Sequence, residues 1–204
     1  MIGERAASRH RSMPPAPGRD AGQSARLDVQ MAVADPSRTL ILLRHAKSAY
    51  PPGVGDHERP LAPRGRREAA LAGAWIGRHL PEIDRIVCST AERTSQTAAE
   101  AGLTALTVPI TYTDDIYEAY PDELEAVIRT VDPAERTVVV IGHAPGLPGL
   151  AADLAGSGSD KAAVSRMRTK FPTSAIAVLT VNGEWADVGR GATTTLIDFV
   201  VPRN

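Results

Sequence analysis

The segment TLILLRH, residues 39–45, gives the chain its first clear structural signal. Its apolar residues stand in one unbroken run, and Arg44 and His45 follow them directly. Such a run is typical of a β-strand that is buried on both faces of a sheet. Strands of this kind occur mainly in parallel sheets that carry helices on both sides. The segment therefore favours an α/β fold.

Further strands and helices alternate along the chain. The predicted strands cover residues 83–88, 108–112 and 137–141, and the predicted helices cover 63–80, 91–101, 121–130 and 147–154. After a flexible loop at 156–161, Asn182-Gly183 predicts a two-residue turn between strands 176–181 and 184–188. The alternation predicts a three-layer α/β/α sandwich with a mostly parallel sheet, which the closing hairpin makes mixed.

Residues 1–37 are expected to form a disordered leader. They are rich in Arg, Ala, Ser, Pro and Gly and contain no aromatic residue, so they bury too little apolar surface to offset the entropy of ordering. Their arginines are also typical of a transit peptide or a nucleic-acid-binding arm. Alternatively, the start codon is placed too early, since Met13 and Met31 could each begin the chain. We favour the unstructured leader. Residues 38–204 then form one domain of ordinary size.

Composition excludes several classes of function. The formal net charge of −1 gives no global field that would attract nucleic acid or an anionic membrane. No apolar run approaches the ~20 residues that cross a bilayer. The single cysteine, Cys88, permits no internal disulfide, which fits a reducing compartment. We expect a cytoplasmic protein with neither nucleic-acid nor membrane partners.

Basic side chains collect where the buried strands end. Arg44 and His45 follow the first strand, Arg93 opens the helix after the second, and His143 follows the strand at 137–141. Ligands of open α/β sheets bind outside the carboxyl ends of the strands. Without carboxylate partners, each pair of such charges at ~4 Å would cost about 4 kcal/mol. A bound anion would neutralise them, and arginine suits phosphate because its fork donates two parallel hydrogen bonds. The pattern predicts a phosphate pocket.

The motifs around these residues resemble those of the histidine phosphatase superfamily, whose fold is phosphoglycerate mutase-like. Within the superfamily they are most similar to the small SixA-type phosphohistidine phosphatases, and the resemblance covers about residues 39–203. It rests on four segments in the family's order: LRHAKS (43–48), DHERPL (56–61), STAERTSQT (89–97) and VIGHAPGL (140–147). The RHAKS variant, the RPL loop and FPT (171–173) indicate the SixA type. Ala46 departs from the family's usual glycine, and Thr90 from its common proline. We expect both departures to be tolerated.

The resemblance implies a role for each basic residue. His45 would attack phosphorus and become phosphohistidine, while Arg44, Arg93 and His143 would hold the phosphoryl oxygens. A nucleophilic histidine must be neutral, which its ordinary pKa of ~6.5 permits near neutral pH. Its other ring nitrogen should donate to a fixed acceptor, such as a backbone carbonyl. Positioning and charge stabilisation then suffice for phosphoryl transfer, so neither a metal nor another cofactor is expected.

The general acid is left open by the sequence. Larger relatives place a glutamate after the third strand, and Glu118 stands at about that position. A surface glutamate before a helix is an equally good interpretation. Cys88 lies inside a predicted buried strand and is expected to be a core residue.

The sequence thus predicts a metal-independent phosphatase that acts through a covalent phosphohistidine. Its expected partner is a phosphorylated protein that carries phosphohistidine. The alternative is a small phosphate ester, either a sugar phosphate or a nucleotide. A non-catalytic domain that recognises phosphate is a third interpretation, although binding alone would not require His45.

Overall fold

The structure, a computed structural model, describes residues 1, 37–80 and 82–203. The expected leader falls almost wholly outside these residues. The strands are β1 (Arg38–Arg44), β2 (Arg85–Ser89), β3 (Ile110–Thr113), β4 (Thr137–Gly142), β5 (Ile176–Asn182) and β6 (Thr193–Val200). The α-helices are α1 (Pro63–His79), α2 (Glu92–Glu100), α3 (Pro121–Ile128), α4 (Gly146–Asp153) and α5 (Lys161–Thr169). Short 3₁₀ turns occur at Leu103–Ala105, Asp114–Ile116 and Trp185–Asp187.

The six strands form one mixed sheet in the order β3-β2-β4-β1-β5-β6. Strands β1 to β4 run parallel, whereas β5 and β6 pair antiparallel. The register of β1 and β4 places Arg44 opposite Gly142. The residues that follow, His45 and His143, therefore leave the sheet side by side.

Alternate residues of the strands enter two separate cores. Leu40 and Leu42 of β1 belong to a cluster that includes residues of α3, α4 and α5. Ile41 and Leu43 point the other way, into a cluster with residues of α1 and α2. A strand covered on both faces must be apolar throughout, which explains the unbroken run. The predicted three-layer α/β/α sandwich is confirmed.

Helices α1 and α2 hold the loop that follows β1. A Cβ atom on Gly65 would lie 2.1 Å from the carbonyl oxygen of Lys47, so only glycine permits this approach. The backbone N–H of Ala46 donates to Thr97 Oγ1 of α2 at 3.0 Å. The methyl group of Ala46 is fully buried in a cluster with Leu61 and Ala69. Alanine therefore fits here in place of the glycine usual in the family.

The predicted two-residue hairpin at Asn182-Gly183 is wrong. Residues 184–188 form no strand, and β5 pairs instead with β6, in which Thr193 lies opposite Asn182. Trp185 of the intervening 3₁₀ turn is buried, and its Nε1–H donates to the Glu135 carbonyl at 2.7 Å. Docking of this side chain diverts the chain away from a tight turn.

Helix α5 is absent from the predicted elements. Asp160 begins it by accepting a hydrogen bond from the Ala163 N–H at 2.6 Å. Lys161, assigned to a loop from the sequence, is its first residue. The other predicted elements are found with ends shifted by no more than two residues.

Candidate active site

All five residues that the sequence singled out line one small pocket at the carboxyl ends of the parallel strands. The pocket has a volume of about 250 Å³. Its lining residues are Arg44, His45, Lys47, Ser48, Tyr50, Asp56, Arg59, Arg93, Glu118, His143, Ala144 and Thr173.

His45 is buried and held in a single orientation. Its Nδ1 lies 2.7 Å from the carbonyl oxygen of Ala46, and a carbonyl can only accept a hydrogen bond. Nδ1 therefore carries the proton, and Nε2 keeps its lone pair. Burial lowers the pKa of His45 to about 4, and the nearby charges of Arg93, Arg44 and Arg59 contribute to the decrease. The ring is neutral near pH 7, as a nucleophile requires.

Arg44 is held by the loop before β5. One of its terminal nitrogens, Nη1, donates to the carbonyl of Phe171 at 2.6 Å. The N–H of Ser174 donates in turn to the carbonyls of Arg44 and His45, at 3.1 and 3.2 Å. Ser174 adopts a left-handed φ of 59° to make this contact. Two adjacent pocket residues are thus fixed by one loop.

Arg93 has a carboxylate partner, which corrects the charge argument made from the sequence. Its Nη1 donates to the backbone carbonyl of Asp56 at 2.6 Å, and its Nη2 to Asp56 Oδ2 at 3.0 Å. The same Oδ2 accepts from Tyr117 at 2.8 Å, while Oδ1 accepts from Arg59. Partial burial raises the pKa of Asp56, but these hydrogen bonds and charges outweigh it and lower the pKa to about 2. The carboxylate offsets part of the repulsion without a ligand.

Arg59 is a pocket residue that the sequence argument missed. Its Nη1 donates to Ser48 Oγ at 3.0 Å, and its guanidinium carbon lies 4.1 Å from the ring centre of Tyr50. The signal was available, since Arg59 stands in the DHERPL segment that carries part of the family resemblance.

His143 faces His45 across the pocket. The ring centres are 5.2 Å apart, and His143 Nε2 lies 2.9 Å from Ser89 Oγ. Burial lowers the pKa of His143 to about 3, with further contributions from His45 and Arg93. This ring is therefore also neutral near pH 7.

Glu118 lines the pocket from its exposed rim. Its φ of 53° is left-handed, a strained conformation for a residue with a side chain.

Thr90 stands where the family commonly has proline. Its Oγ1 lies 3.0 Å from Nε2 of His57 and donates a hydrogen bond to Asp114. The departure at Thr90 thus leaves the turn anchored.

Three other features expected from the sequence concern Cys88, metal ligands and membrane-spanning helices. Cys88 is fully buried, and burial raises the pKa of its thiol to about 12, as suits a core residue. Among residues 37–80 and 82–203, no cluster of three or more His, Cys, Asp or Glu side chains is placed to hold a metal ion. In the same part of the chain, no helix has both the length and the apolar character needed to cross a membrane.

The two buried histidines predict a pH-dependent stability. Each ring has a pKa of ~6.5 in the unfolded chain, against about 4 for His45 and about 3 for His143 in the folded protein. Their stabilising contribution is therefore complete above pH 6.5 and is lost progressively as the pH falls from 6.5 to the folded pKa values. For each unit by which the pH falls between 6.5 and 4.5, we expect each ring to lower the free energy of unfolding by roughly 1.4 kcal/mol.

Urea unfolding of the wild type and a His143→Gln variant across this range checks that expectation. In the variant, the free energy of unfolding should depend less steeply on pH, because the contribution of the His143 ring is absent. Equal slopes in the two proteins would contradict the lowered pKa of His143.

Comparison with protein families gives a match over residues 40–137 to the histidine phosphatase superfamily, branch 1. An uncharacterized protein of Mycobacterium tuberculosis strain H37Rv is 49% identical over 162 residues, which cover 79% of this chain and 100% of the relative.

Solved structures show the same similarity. A protein assigned as the phosphohistidine phosphatase SixA from Nakamurella multipartitia is 36% identical, with a TM-score of 0.75, over 84% of this chain and 99% of its own. A second, from Agrobacterium tumefaciens, is 28% identical, with a TM-score of 0.66, over 81% and 99%. An Escherichia coli protein assigned as an α-ribazole-5'-P phosphatase shares the fold alone, at 16% identity and a TM-score of 0.56, over 79% and 96%.

Proposed function

This chain belongs to the histidine phosphatase superfamily and is a hydrolase that acts on phosphate, and we propose that its substrate is phosphohistidine in a protein. The proposal has two parts. The first is a covalent intermediate on His45, and the second is the protein substrate. The observation that carries the first part is the contact between His45 Nδ1 and the Ala46 carbonyl at 2.7 Å, because it leaves Nε2 free to attack.

The reaction proceeds in two displacements. His45 Nε2 attacks phosphorus, the P–N bond to His45 forms, and the bond to the leaving group breaks as that group takes a proton. Water then attacks the phosphorus of the phosphorylated His45, a P–O bond forms as the P–N bond breaks, and inorganic phosphate leaves with His45 restored. Arg44, Arg59, Arg93 and His143 line the same pocket and are proposed to hold the phosphoryl oxygens, which lowers the energy of the transition state.

The size of the pocket supports a substrate that is mostly outside it. Pockets that enclose small molecules have volumes of roughly 300–1,000 Å³, and this one has about 250 Å³. It accommodates the phosphoryl group and leaves the rest of the substrate at the open rim. A phosphorylated side chain on a protein can reach such a rim and make contacts beyond it. The SixA-type relatives support the same substrate class.

The leaving group gives a testable distinction. A phosphorylated imidazole has a labile P–N bond, whereas an alkoxide needs an acid to leave. We therefore expect Glu118→Gln to change kcat/KM for a phosphohistidine protein less than about twofold, and to slow an alkyl phosphate by about 10²-fold, the lower range for a lost general acid. Asp122→Asn, a substitution of an acidic residue in α3, serves as the control.

A substrate panel tests the proposal directly. Phosphohistidine proteins should be hydrolysed with a much higher kcat/KM than any sugar phosphate or nucleotide. A metabolite turned over near 10⁶ M⁻¹s⁻¹, within the range of true substrates, while phosphohistidine proteins are ignored, would refute the substrate assignment.

The second candidate is a phosphomonoesterase of small molecules with the same chemistry. It is favoured by one observation, the position of Glu118 on the pocket wall, where it is placed to protonate the departing alkoxide. A non-catalytic phosphate-recognition domain is less well supported, because recognition does not require the free Nε2 of His45.

We also propose that residues 38–204 suffice for folding and activity in the cytoplasm. Deletion of residues 1–36 should leave the melting temperature within about 2 °C, because the deleted segment contains few large apolar residues that could dock. Thermal unfolding and kcat of the shortened protein check this. A decrease of many degrees would show that the segment packs on the domain.

A further inference from the structure

We propose that Ser89 is a positioning residue that fixes the tautomer of His143, so that this ring donates a hydrogen bond from Nδ1 to the phosphoryl group. The inference rests on the proposed function, since it specifies how one member of the clamp recognises phosphate. It also explains why two neighbouring histidines perform opposite tasks.

The hydroxyl of Ser89 has only one acceptor for its proton among its observed partners. Ser89 is the last residue of β2 and is fully buried. Its Oγ lies 2.9 Å from His143 Nε2 and 3.4 Å from the backbone nitrogen of Ala91. The Ala91 N–H can only donate, so it uses an acceptor lone pair of Oγ. The proton of Oγ is then directed to Nε2, which accepts.

The other nitrogen of His143 must then carry the ring proton. A neutral imidazole has one donor and one acceptor, and His143 is neutral near pH 7 because burial lowers its pKa to about 3. Nδ1 is buried and has no hydrogen-bond partner among the described residues. A buried N–H without an acceptor is unfavourable. A phosphoryl oxygen in the pocket that His143 lines would supply the missing acceptor.

The opposite tautomer would oppose binding. If Nε2–H donated to Ser89, Nδ1 would carry a bare lone pair, which would repel a phosphoryl oxygen that approached it. His45 shows the complementary arrangement, because the Ala46 carbonyl can only accept and forces the proton onto Nδ1. A carbonyl beside one ring and a hydroxyl beside the other thus leave His45 with a free lone pair and His143 with a free donor.

The tautomer can be measured without any turnover. Two-dimensional ¹⁵N–¹H NMR of the free wild-type protein at pH 7 should show His143 protonated at Nδ1 and unprotonated at Nε2. Protonation at Nε2, or at both nitrogens, would overturn the inference. Because this readout does not involve catalysis, it can fail while the phosphatase assignment stands, and the reverse also holds.

Variants then test whether the tautomer matters. Ser89→Ala should mix the two tautomers of His143, weaken binding of inorganic phosphate about tenfold by calorimetry, and lower kcat/KM by about 10–100-fold. Ser89→Cys, with a weaker donor, should fall between alanine and the wild type. If Ser89→Ala folds poorly, the cysteine variant and the wild-type spectrum remain decisive.

A matched control separates this role from a general loss of stability. Thr194→Val removes another buried hydroxyl, which donates to the Leu154 carbonyl on the far side of the sheet. It should destabilise the protein but leave the His143 tautomer and phosphate affinity unchanged. Ser89→Ala with wild-type tautomer and phosphate affinity, or equal effects of both variants on phosphate binding, would refute the proposal.

Discussion

His45→Ala is expected to abolish turnover, with kcat reduced by a factor on the order of 10⁵, as loss of a nucleophile does in other enzymes that form covalent intermediates. The ring contributes the attacking nitrogen, and no other nitrogen in the pocket is equally placed. His143 has its Nε2 beside Ser89, and the lysine and arginine side chains are cationic near neutral pH. Hydrolysis of p-nitrophenyl phosphate measures the effect.

The fold should survive this substitution, so the loss can be assigned to chemistry. Circular dichroism and calorimetric binding of inorganic phosphate should both show an intact pocket, since Arg44 and Arg93 keep their own partners. His57→Ala is the control, because His57 lies outside the pocket lining. Wild-type turnover by His45→Ala would remove the nucleophile assignment.

Arg93→Ala is expected to lower kcat by about 10²–10³-fold, the usual cost of removing one positioned transition-state donor. Asp56 remains bound to Arg59 and Tyr117, so the substitution leaves no isolated charge. Arg93→Lys should restore only part of the rate, because an ammonium group lacks the planar fork.

Two controls accompany the Arg93 kinetics. Arg66→Ala removes an exposed arginine that pairs with Glu100 and makes a long bond to Gln96 at 3.4 Å, and it should not change kcat. A chelator should leave wild-type activity unchanged, because the proposed clamp consists of side chains. Full activity of Arg93→Ala, or loss of wild-type activity in EDTA that a divalent metal restores, would contradict this mechanism.

The pocket was predictable from the sequence to the extent that strands position it. Arg44 ends β1, while His45 and His143 directly follow β1 and β4, and parallel pairing brings those strand ends together. A buried apolar run followed by polar residues can be recognised in the sequence. Pairing of the strands in the sheet then brings the polar residues of different runs close together in space. The family resemblance added the roles.

Asp56 and Arg59 show why the pocket residues outside the strand ends were not predictable from charge patterns. Both lie in a loop whose path is fixed by distant contacts, including the Leu61 N–H bond to Gln96 at 2.8 Å and the pairing of Ser48 with Leu61. No local pattern encodes those contacts. The missing carboxylate in the charge argument was therefore Asp56, which reaches Arg93 across 37 positions of sequence.

The false hairpin has the same origin. Asn182-Gly183 carries a strong local turn signal, but the buried side chain of Trp185 and its bond to Glu135 select a longer connection. The preference of two residues for a tight turn contributes less free energy than burial of a large side chain, so tertiary packing overrides it.

The most direct test of the covalent mechanism is to trap the intermediate. Wild-type protein quenched in alkali during turnover should carry one phosphoryl group that is stable to base and labile to acid, and peptide mass spectrometry should place it on His45. His45→Ala treated in the same way should carry none. A phosphoryl group on another residue, or rapid turnover with no phosphoenzyme in wild type under single-turnover conditions, would contradict the mechanism.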